Sequence, residues 1–369
     1  MGRINKSFYK TDKLYEARVC QTHWGGGITK RNISHKIFKQ IISLENLLLA
    51  WQEFARGKRK KLDVQQFSFN LEDNIFQLHQ ELTTKTYQHS YYTSFYVQDP
   101  KLRHIHKACV RDRVLHQAVF RILYPIFDQG FIFNSYSCRL NKGTHRAVKR
   151  LIKFTRKLSR NNYNNIFALK CDIKKFFASI DQNILLALIK QKIIERDAIW
   201  LINQVIRSFA KAKNKGLPLG NVTSQLFANI YLNELDQFIK HQLKIKYYLR
   251  YCDDFVILAV SREDLVKLIY LIDSFLKQKL KLYLHSNKII IRKYHQGIDF
   301  LGYVILPYYT VLRTKTKKRM LSRIKIRHEE LEKNIITKES FNQSLQSYFG
   351  MLKLCQGHNI KRQILDKYK

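Results

Sequence analysis

Three aspartates stand where apolar runs end. "IFALKCDI" (166–173) is a buried-strand run that reaches Asp172, and "YLRYCDDFVIL" (248–258) carries Asp253 and Asp254 between two runs of β-branched and aromatic residues. An adjacent Asp pair is by itself most often only a turn, because Asp tolerates turn conformations. Here the flanks are apolar strands, and a glycine-bearing loop and a helix lie between Asp172 and the pair. If the strands neighbour one another in a sheet, three carboxylates meet at their tips, where they repel unless divalent cations intervene. Oxygen ligands of this kind suit Mg²⁺, which takes few carboxylates together with substrate phosphates. Two such ions suit in-line phosphoryl transfer.

The rest of the chain is strongly basic: 67 lysines and arginines against 28 acids, a formal net charge of +39 over 369 residues. A charge this large repels itself unless a polyanion screens it, so nucleic acid is the expected partner, held mostly through phosphates. The charge is spread along the chain and not gathered on one amphipathic helix, which argues against a membrane surface. A hydrophobic content of 45% and an aromatic content of 13% indicate a globular protein. No apolar run approaches the ~18 residues of a membrane span. The N-terminal residues lack an apolar signal core, so a cytoplasmic protein is expected. The six cysteines are scattered singly, and Cys20 with His23 forms a lone CxxH without a second ligand pair. That excludes a disulfide framework and a zinc-finger module as readings.

The elements that must position these carboxylates follow from periodicity. Leu44, Leu47, Leu48, Trp51 and Phe54 recur at helical spacing, as do Leu71, Ile75, Leu78 and Leu82, with the basic loop "RGKRKK" between the two helices. "YYTSFYVQDPKLRHIHKA" (91–108) has β-type residues broken at Asp99-Pro100, a hairpin signature. Val114, Leu115, Ala118, Val119 and Ile122 predict a further helix. Beyond the Asp172 strand, helices are predicted over 184–209, 226–238 and 265–280 and a strand over 300–306. From Arg313 onward the chain reads as helical and basic, with 15 Lys and Arg against 5 acids. This order describes an α+β chain with a palm-like sheet and flanking helical lobes.

At this point the chain resembles a known family. "YCDD" (251–254) is similar to the YxDD box of reverse transcriptases, and "CDIKKFFASID" (171–181) to their first palm motif. "GLPLGNVTSQLFANIYLNELD" (216–236) resembles the next motif, "RHIHKACVRDRVLHQAV" (103–119) the fingers motif, and "SYSCRLNKGTHRAV" the one after it. "SNKIII" (286–291) and "FLGY" (300–303) resemble the last two palm motifs, all in the family's order. The resemblance implies a right-hand polymerase fold with fingers, palm (antiparallel sheet plus helices) and a short helical thumb. The expected division is a basic N-terminal arm over 1–40, fingers over 41–165, palm with interleaved fingers helices over 166–306, and thumb over 307–369. The loop form "LGNVTSQ", with Leu219-Gly220 and Ser224-Gln225 where group II intron enzymes usually read Gln-Gly and Ser-Pro, is most similar to diversity-generating retroelement enzymes. Alternatives are another bacterial reverse transcriptase, of the group II intron, retron or abortive-infection type, or a non-catalytic RNA-binding protein.

By resemblance, Asp172, Asp253 and Asp254 are the catalytic residues and metal ligands for two Mg²⁺ ions (or Mn²⁺), joined by the Ile173 carbonyl. Phe177 stands where the family holds its sugar gate, and Phe176 beside it reads as core. Lys101 and Arg103 are expected near the incoming triphosphate, with Gly220 and Gln225 in the nucleotide site and Lys288 as a general acid for pyrophosphate. Gly216 and Gly220 let the backbone approach closely. Leu219, Asn221, Tyr251, Leu301 and Gly302 are expected along primer and template, "FLGY" being the primer grip. Arg111 and Arg113 could be structural or touch template phosphates, and Cys252 reads as a spacer. The implied partners are template RNA, its cDNA, dNTPs and a small helical accessory protein, with no membrane.

Overall fold

The computed structural model describes residues 36–98 and 101–368. The Cys20/His23 pair and the Asp99-Pro100 turn lie outside the described residues, as does nearly all of the basic arm. Along the chain run α1 (Ile37–Ile42), α2 (Leu44–Ala55), α3 (Leu62–Phe69), α4 (Leu71–Thr83), β1 (Thr93–Gln98), β2 (Leu102–Lys107), α5 (Val110–Asp128), α6 (Thr144–Leu158) and β3 (Phe167–Asp172). Then come α7 (Phe176–Ser179), α8 (Gln182–Lys190), α9 (Arg196–Arg207), α10 (Val222–Gln237), β4 (Tyr248–Tyr251), β5 (Asp254–Ala259) and α11 (Arg262–Leu280). The chain continues through β6 (Ile290–Lys293), β7 (Ile298–Phe300), β8 (Tyr303–Ile305), β9 (Thr310–Leu312), α12 (Thr314–Glu332), α13 (Lys338–Leu352) and α14 (His358–Tyr368).

Contacts gather the chain into two compact units. One holds the residues through Cys138 with Ile173–Lys244 and Ile272–Leu284, the other Arg139–Asp172, Ile245–Leu271 and His285–Lys369. The first unit is mainly helical. Its α2 starts where the Ser43 hydroxyl accepts from the Asn46 amide, and it buries Leu47, Trp51 and Phe54 as the spacing predicts, with Ala50 beside them, while Leu48 is exposed and Leu44 half-buried. The basic loop "RGKRKK" is followed, before the second predicted helix, by an unforeseen helix, α3, which buries only Val64 and so leaves little periodic signal. β1 and β2 pair antiparallel, Thr93 opposite Lys107, as the expected hairpin. The segment 184–209 is two helices, not one. Asp181 caps α8 by accepting from the Asn183 and Ile184 amides at 2.9 and 3.1 Å. The break at 191–195 buries Ile193 and aims Glu195 at α1, where its carboxylate accepts from the Phe38 amide at 3.1 Å. Those tertiary contacts outweigh helix propensity.

The second unit is built on a four-stranded antiparallel sheet in the order β4-β5-β3-β6, with a three-stranded sheet β7-β8-β9. β5 reads "DFVILA" and buries Phe255, Val256, Ile257 and Leu258 without alternation, as a strand covered on both faces does. The predicted strand over 300–306 is a tight hairpin instead. Phe300 pairs with Tyr303, and Leu301 and Gly302 between them have φ of +50° and +88°. A two-residue turn with both central residues left-handed matches the right-handed twist of its strands, and glycine makes it accessible. The basic C-terminal region begins with the strand β9 before its three helices. No helix among the described residues is long and apolar enough to cross a membrane.

Candidate active site

The aspartates predicted to act together meet in the second unit. β3 and β5 run antiparallel with Lys170 opposite Val256, Cys171 opposite Phe255 and Asp172 opposite Asp254. β4 and β5 form a hairpin in which Tyr251 pairs with Asp254, leaving Cys252-Asp253 as a two-residue turn. Asp254 is therefore the first strand residue, and Asp253 alone occupies the turn. Cys252 has a φ of +56°, which costs a non-glycine residue about 1 kcal/mol or more. Arg250 braces this turn: its side chain is fully buried and its Nη1 donates to the Cys252 carbonyl at 3.0 Å. The Tyr251 hydroxyl accepts from Thr144 Oγ1 at 3.2 Å.

The electrostatics are those of negative charge in dry surroundings. Burial, then the Asp172 charge, pushes the Asp253 carboxyl above the usual carboxylate range. Burial pushes Asp254 up to about 6, although Lys170 pulls the other way. The buried Cys171 thiol, next to Asp172 on β3, is pushed up to about 12 by burial and by the charges of Asp254 and Asp172. Two lysines answer these charges. Lys288 is ion-paired with Asp172. It lies in a short 3-10 turn, Ser286–Lys288, tied to the sheet by the His285 amide donating to the Asp172 carbonyl at 2.8 Å. Lys170 Nζ lies 3.3 Å from Asp254 Oδ2 and donates to the Asp299 carbonyl at 3.2 Å.

The sequence reading placed Lys288 near this site but missed Lys170 and Arg250. The alternation of "ALKCD" held the signal for Lys170: two residues before Asp172 on a strand, it shares that aspartate's face. Nothing in the apolar "YLRY" run marks Arg250 as buried.

Asp172, Asp253 and Asp254 were expected to surround divalent cations. Among the described residues no three His, Cys, Asp or Glu side chains converge closely enough to hold a metal ion, and Lys170 and Lys288 are the cations beside the carboxylates. The donor chemistry nonetheless fits a hard cation. Asp254 Oδ1 is buried with no hydrogen-bond partner, and, beside burial, the Asp172 charge raises the carboxyls of both Asp253 and Asp254. Leu301 and Gly302 belong to the same unit, in the hairpin of the three-stranded sheet; the Gly302 carbonyl accepts from the Arg313 amide at 2.9 Å.

The remaining candidates lie in the first unit. Ile173 is buried and bridged to Leu284. Phe176 is core, whereas Phe177 is half-buried and meets the Phe176 ring edge-on, centroids 5.3 Å apart. Lys101 and Arg103 are exposed on the β1–β2 hairpin. That hairpin packs on the glycine loop. The His106 amide donates to the Leu219 carbonyl at 3.0 Å, and Gly220 has a φ of +120°, where a Cβ would press tightly on Ile105 and the His106 carbonyl. Asn221 is buried, and Gln225 is half-buried on α10. Arg111 and Arg113 are structural ion-pair members, Arg111 with Glu81 at 2.8 Å and Arg113 with Asp63 at 2.5 Å.

Comparison with known proteins gives the same direction. Residues 98–305 match the family described as reverse transcriptase (RNA-dependent DNA polymerase). The chain is 26% identical over 330 residues to the group II intron-encoded protein LtrA of Lactococcus lactis subsp. cremoris, covering 68% of this chain and 53% of LtrA. It is 24% identical over 247 residues to protein YkfC of Escherichia coli K12, covering 56% of this chain and 64% of YkfC. The chain thus spans between about half and two thirds of these two relatives. Among solved structures, apo telomerase from Candida tropicalis, truncated from its C-terminal domain, aligns with a TM-score of 0.46 at 15% identity, covering 64% of this chain and 59% of that one.

Proposed function

The chain belongs to the reverse transcriptase (RNA-dependent DNA polymerase) family, with the mixed helices and antiparallel sheets of the right-hand polymerase fold, and from that premise we propose that it copies an RNA template into DNA by joining dNTPs to a primer end. The observation that carries this reading is the pairing of Asp172 with Asp254 across the sheet, with Asp253 in the adjoining turn. The side chains of Asp172, Asp253 and Asp254, with the Ile173 carbonyl, would hold two Mg²⁺ (or Mn²⁺) ions. When bound, such ions supply Lewis acidity toward the attacking hydroxyl and the leaving pyrophosphate.

The protein's own residues do the rest. Lys288 Nζ gives a proton to the leaving pyrophosphate, and Lys101 and Arg103 offset triphosphate charge. Phe177 excludes a 2′-hydroxyl by bulk. Gly220 and Gln225 face the nucleotide. Leu219, Asn221 and Tyr251 face the template and primer, and Leu301-Gly302 guides the primer strand. In this reading residues 41–165 act as fingers, 166–306 as palm with interleaved fingers helices, and the basic 307–369 as a thumb that holds the A-like duplex by phosphates and shape. A primer-extension assay on an RNA template tests the proposal: Mg²⁺-dependent extension by the wild type and its loss in Asp253→Asn are expected. Equal products from the two proteins would sink it.

Within the family, the loop "LGNVTSQ" supports an error-prone enzyme of a diversity-generating retroelement, working with a small helical accessory protein. The similarity to LtrA favours a second reading, a group II intron enzyme. Sequencing cDNA made with flanking DNA and any accessory protein separates them. Substitutions confined to template adenines support the first, and uniform fidelity counts against it.

A further inference from the structure

A chain of buried polar side chains runs through the first unit and is used by none of the roles above. Asp112, His116, Thr223 and Tyr87 are each at most 1% exposed, and the His89 side chain is 2% exposed. Asp112 anchors it, accepting from the Tyr87 hydroxyl at 2.9 Å, the Ser90 amide at 2.8 Å and the Cys109 thiol at 3.1 Å. Burial alone would raise the Asp112 carboxyl, but His89, Cys109, Arg111 and the Ser90 amide hold it below the usual carboxylate range. His89 Nε2 lies 3.0 Å from His116 Nε2, and His116 Nδ1 lies 2.5 Å from Thr223 Oγ1. The Tyr92 hydroxyl lies 3.2 Å from His89 Nε2 and 2.8 Å from Ser208 Oγ.

The partners fix the connectivity. His89 Nδ1 faces two acceptors, the Ser90 carbonyl at 2.6 Å and Asp112 Oδ2 at 3.5 Å, so it carries hydrogen. One hydrogen lies between His89 Nε2 and His116 Nε2, and one between His116 Nδ1 and the Thr223 hydroxyl. Burial, then the neighbouring His89, pushes His116 down to about 3, which keeps its imidazole neutral. The relay thus joins Thr223 to Asp112 through two imidazoles.

The relay ends at the glycine loop. Thr223 is the second residue of α10, two positions after Asn221 at the end of the loop Leu219-Gly220-Asn221. Asn221 occupies the helix N-cap position without capping it; it is 3% exposed, and neither its Oδ1 nor its Nδ2 makes a well-formed hydrogen bond. The side chain lies near enough to the Tyr92 hydroxyl to draw its pKa down by hydrogen bonding, against the larger effect of burial, and that loose contact links it to the relay. A buried amide with no better bond than this is costly and has donor and acceptor capacity left for a ligand.

We propose that His116, backed by His89 and Tyr92, is a positioning residue that fixes the loop through Thr223, so that the Asn221 carboxamide is presented to the nascent base pair and contributes to nucleotide discrimination. The inference rests on the polymerase reading of this loop.

Single-nucleotide incorporation by the full chain on an RNA–DNA template–primer tests it. Thr223→Val keeps the side-chain shape and removes the hydroxyl, whereas Thr223→Ser keeps the hydroxyl. Loss of one buried hydrogen bond should raise the dNTP KM about fivefold in Thr223→Val with kcat changed less than about twofold, and should alter the ratio of correct to incorrect incorporation. Thr223→Ser should return both to near wild type, and Tyr92→Phe should shift KM in the same direction. If Thr223→Ser behaves like Thr223→Val, packing and not the hydroxyl is responsible and the inference falls. It falls equally if KM and discrimination stay at wild-type values in Thr223→Val, or in Tyr92→Phe should the valine variant not fold. An inactive wild type would sink the polymerase reading and this inference together; an active wild type with unresponsive variants sinks this inference alone.

Discussion

Asp172, the last residue of β3, lies directly opposite Asp254, the first residue of β5, so that two carboxylates far apart in sequence become cross-strand partners. Like charges in this position destabilise a sheet. Here Lys288 pairs with Asp172 and Lys170 lies 3.3 Å from Asp254, two cations held where the proposed polymerase site needs negative charge to be available.

The first prediction concerns the charge on Asp254. Its folded pKa of about 6 lies above its ordinary value of 3.8, so the folded state binds this proton more tightly than the unfolded chain. The associated stability is fully present below pH ~4 and is lost as pH rises through ~6. Asp254→Asn should therefore raise the Tm of metal-free protein by a few degrees at pH 7.5 and by much less at pH 5, while primer extension falls by about three orders of magnitude. Thermal melts of both proteins at the two pH values check this; an equal difference at both would contradict it.

A second prediction follows from Lys170. An ammonium and a divalent cation compete for the same carboxylate oxygens, so Lys170→Met should tighten metal binding. Calorimetric titration with Mg²⁺ or Mn²⁺ should give a dissociation constant lower by about threefold or more, from the Coulomb energy of one competing charge at a partly exposed site. Weaker binding would mean that the lysine organises the carboxylates and does not compete for them.

Much of this site was legible because its parts are local. A strand ending in Asp172, a Tyr251–Asp254 box between apolar strands and a glycine loop each leave a contiguous signal. The register that places Asp254, and not Asp253, opposite Asp172 was not legible, since pairing between distant strands is decided by the whole sheet. Arg250 was hidden because an arginine inside an apolar strand carries no mark of burial. His89 and His116 were hidden because their bonds to Asp112 and Thr223 join residues far apart in sequence. The hairpin at Leu301-Gly302 was readable in principle: a glycine inside a strand pattern signals a bend.

A third prediction concerns sugar selection. Phe176 is core, and its half-buried neighbour Phe177 has its carbonyl held by the Leu217 amide at 2.8 Å, so the Phe177 ring is the one available to a ligand. Phe177→Ala should raise the efficiency of rNTP relative to dNTP incorporation by about tenfold to a hundredfold, the range open to one steric contact. Competition assays on one template measure it, and unchanged selectivity would remove Phe177 from the gate role.

A fourth prediction tests the loop backbone. Gly220 has a φ of +120°, and a Cβ there would lie 3.2 Å from Ile105 Cγ2 and 3.3 Å from the His106 carbonyl oxygen. Gly220→Ala combines backbone strain with a tight contact and should cost about 1–3 kcal/mol of stability. Hydrogen exchange should show lost protection at the His106 amide, which donates to Leu219. Undiminished protection together with an unchanged Tm would show that the loop does not need this conformation.

The last prediction returns to Leu219, the departure from the Gln-Gly form of intron enzymes. Leu219 is half-buried, and its carbonyl is already held by the His106 amide at 3.0 Å, so its backbone position is set independently of its side chain. Leu219→Gln should accordingly leave the loop in place and add one amide able to bond the nucleotide or template. If the missing contact is what permits poor pairing, this substitution lowers misincorporation at template adenines by about fivefold, the worth of one hydrogen bond, without slowing correct insertion. Deep sequencing of cDNA from wild type and variant measures the adenine error rate directly. An unchanged rate with unchanged kcat would show that fidelity is set elsewhere, and would turn attention to Asn221 and the buried relay behind it.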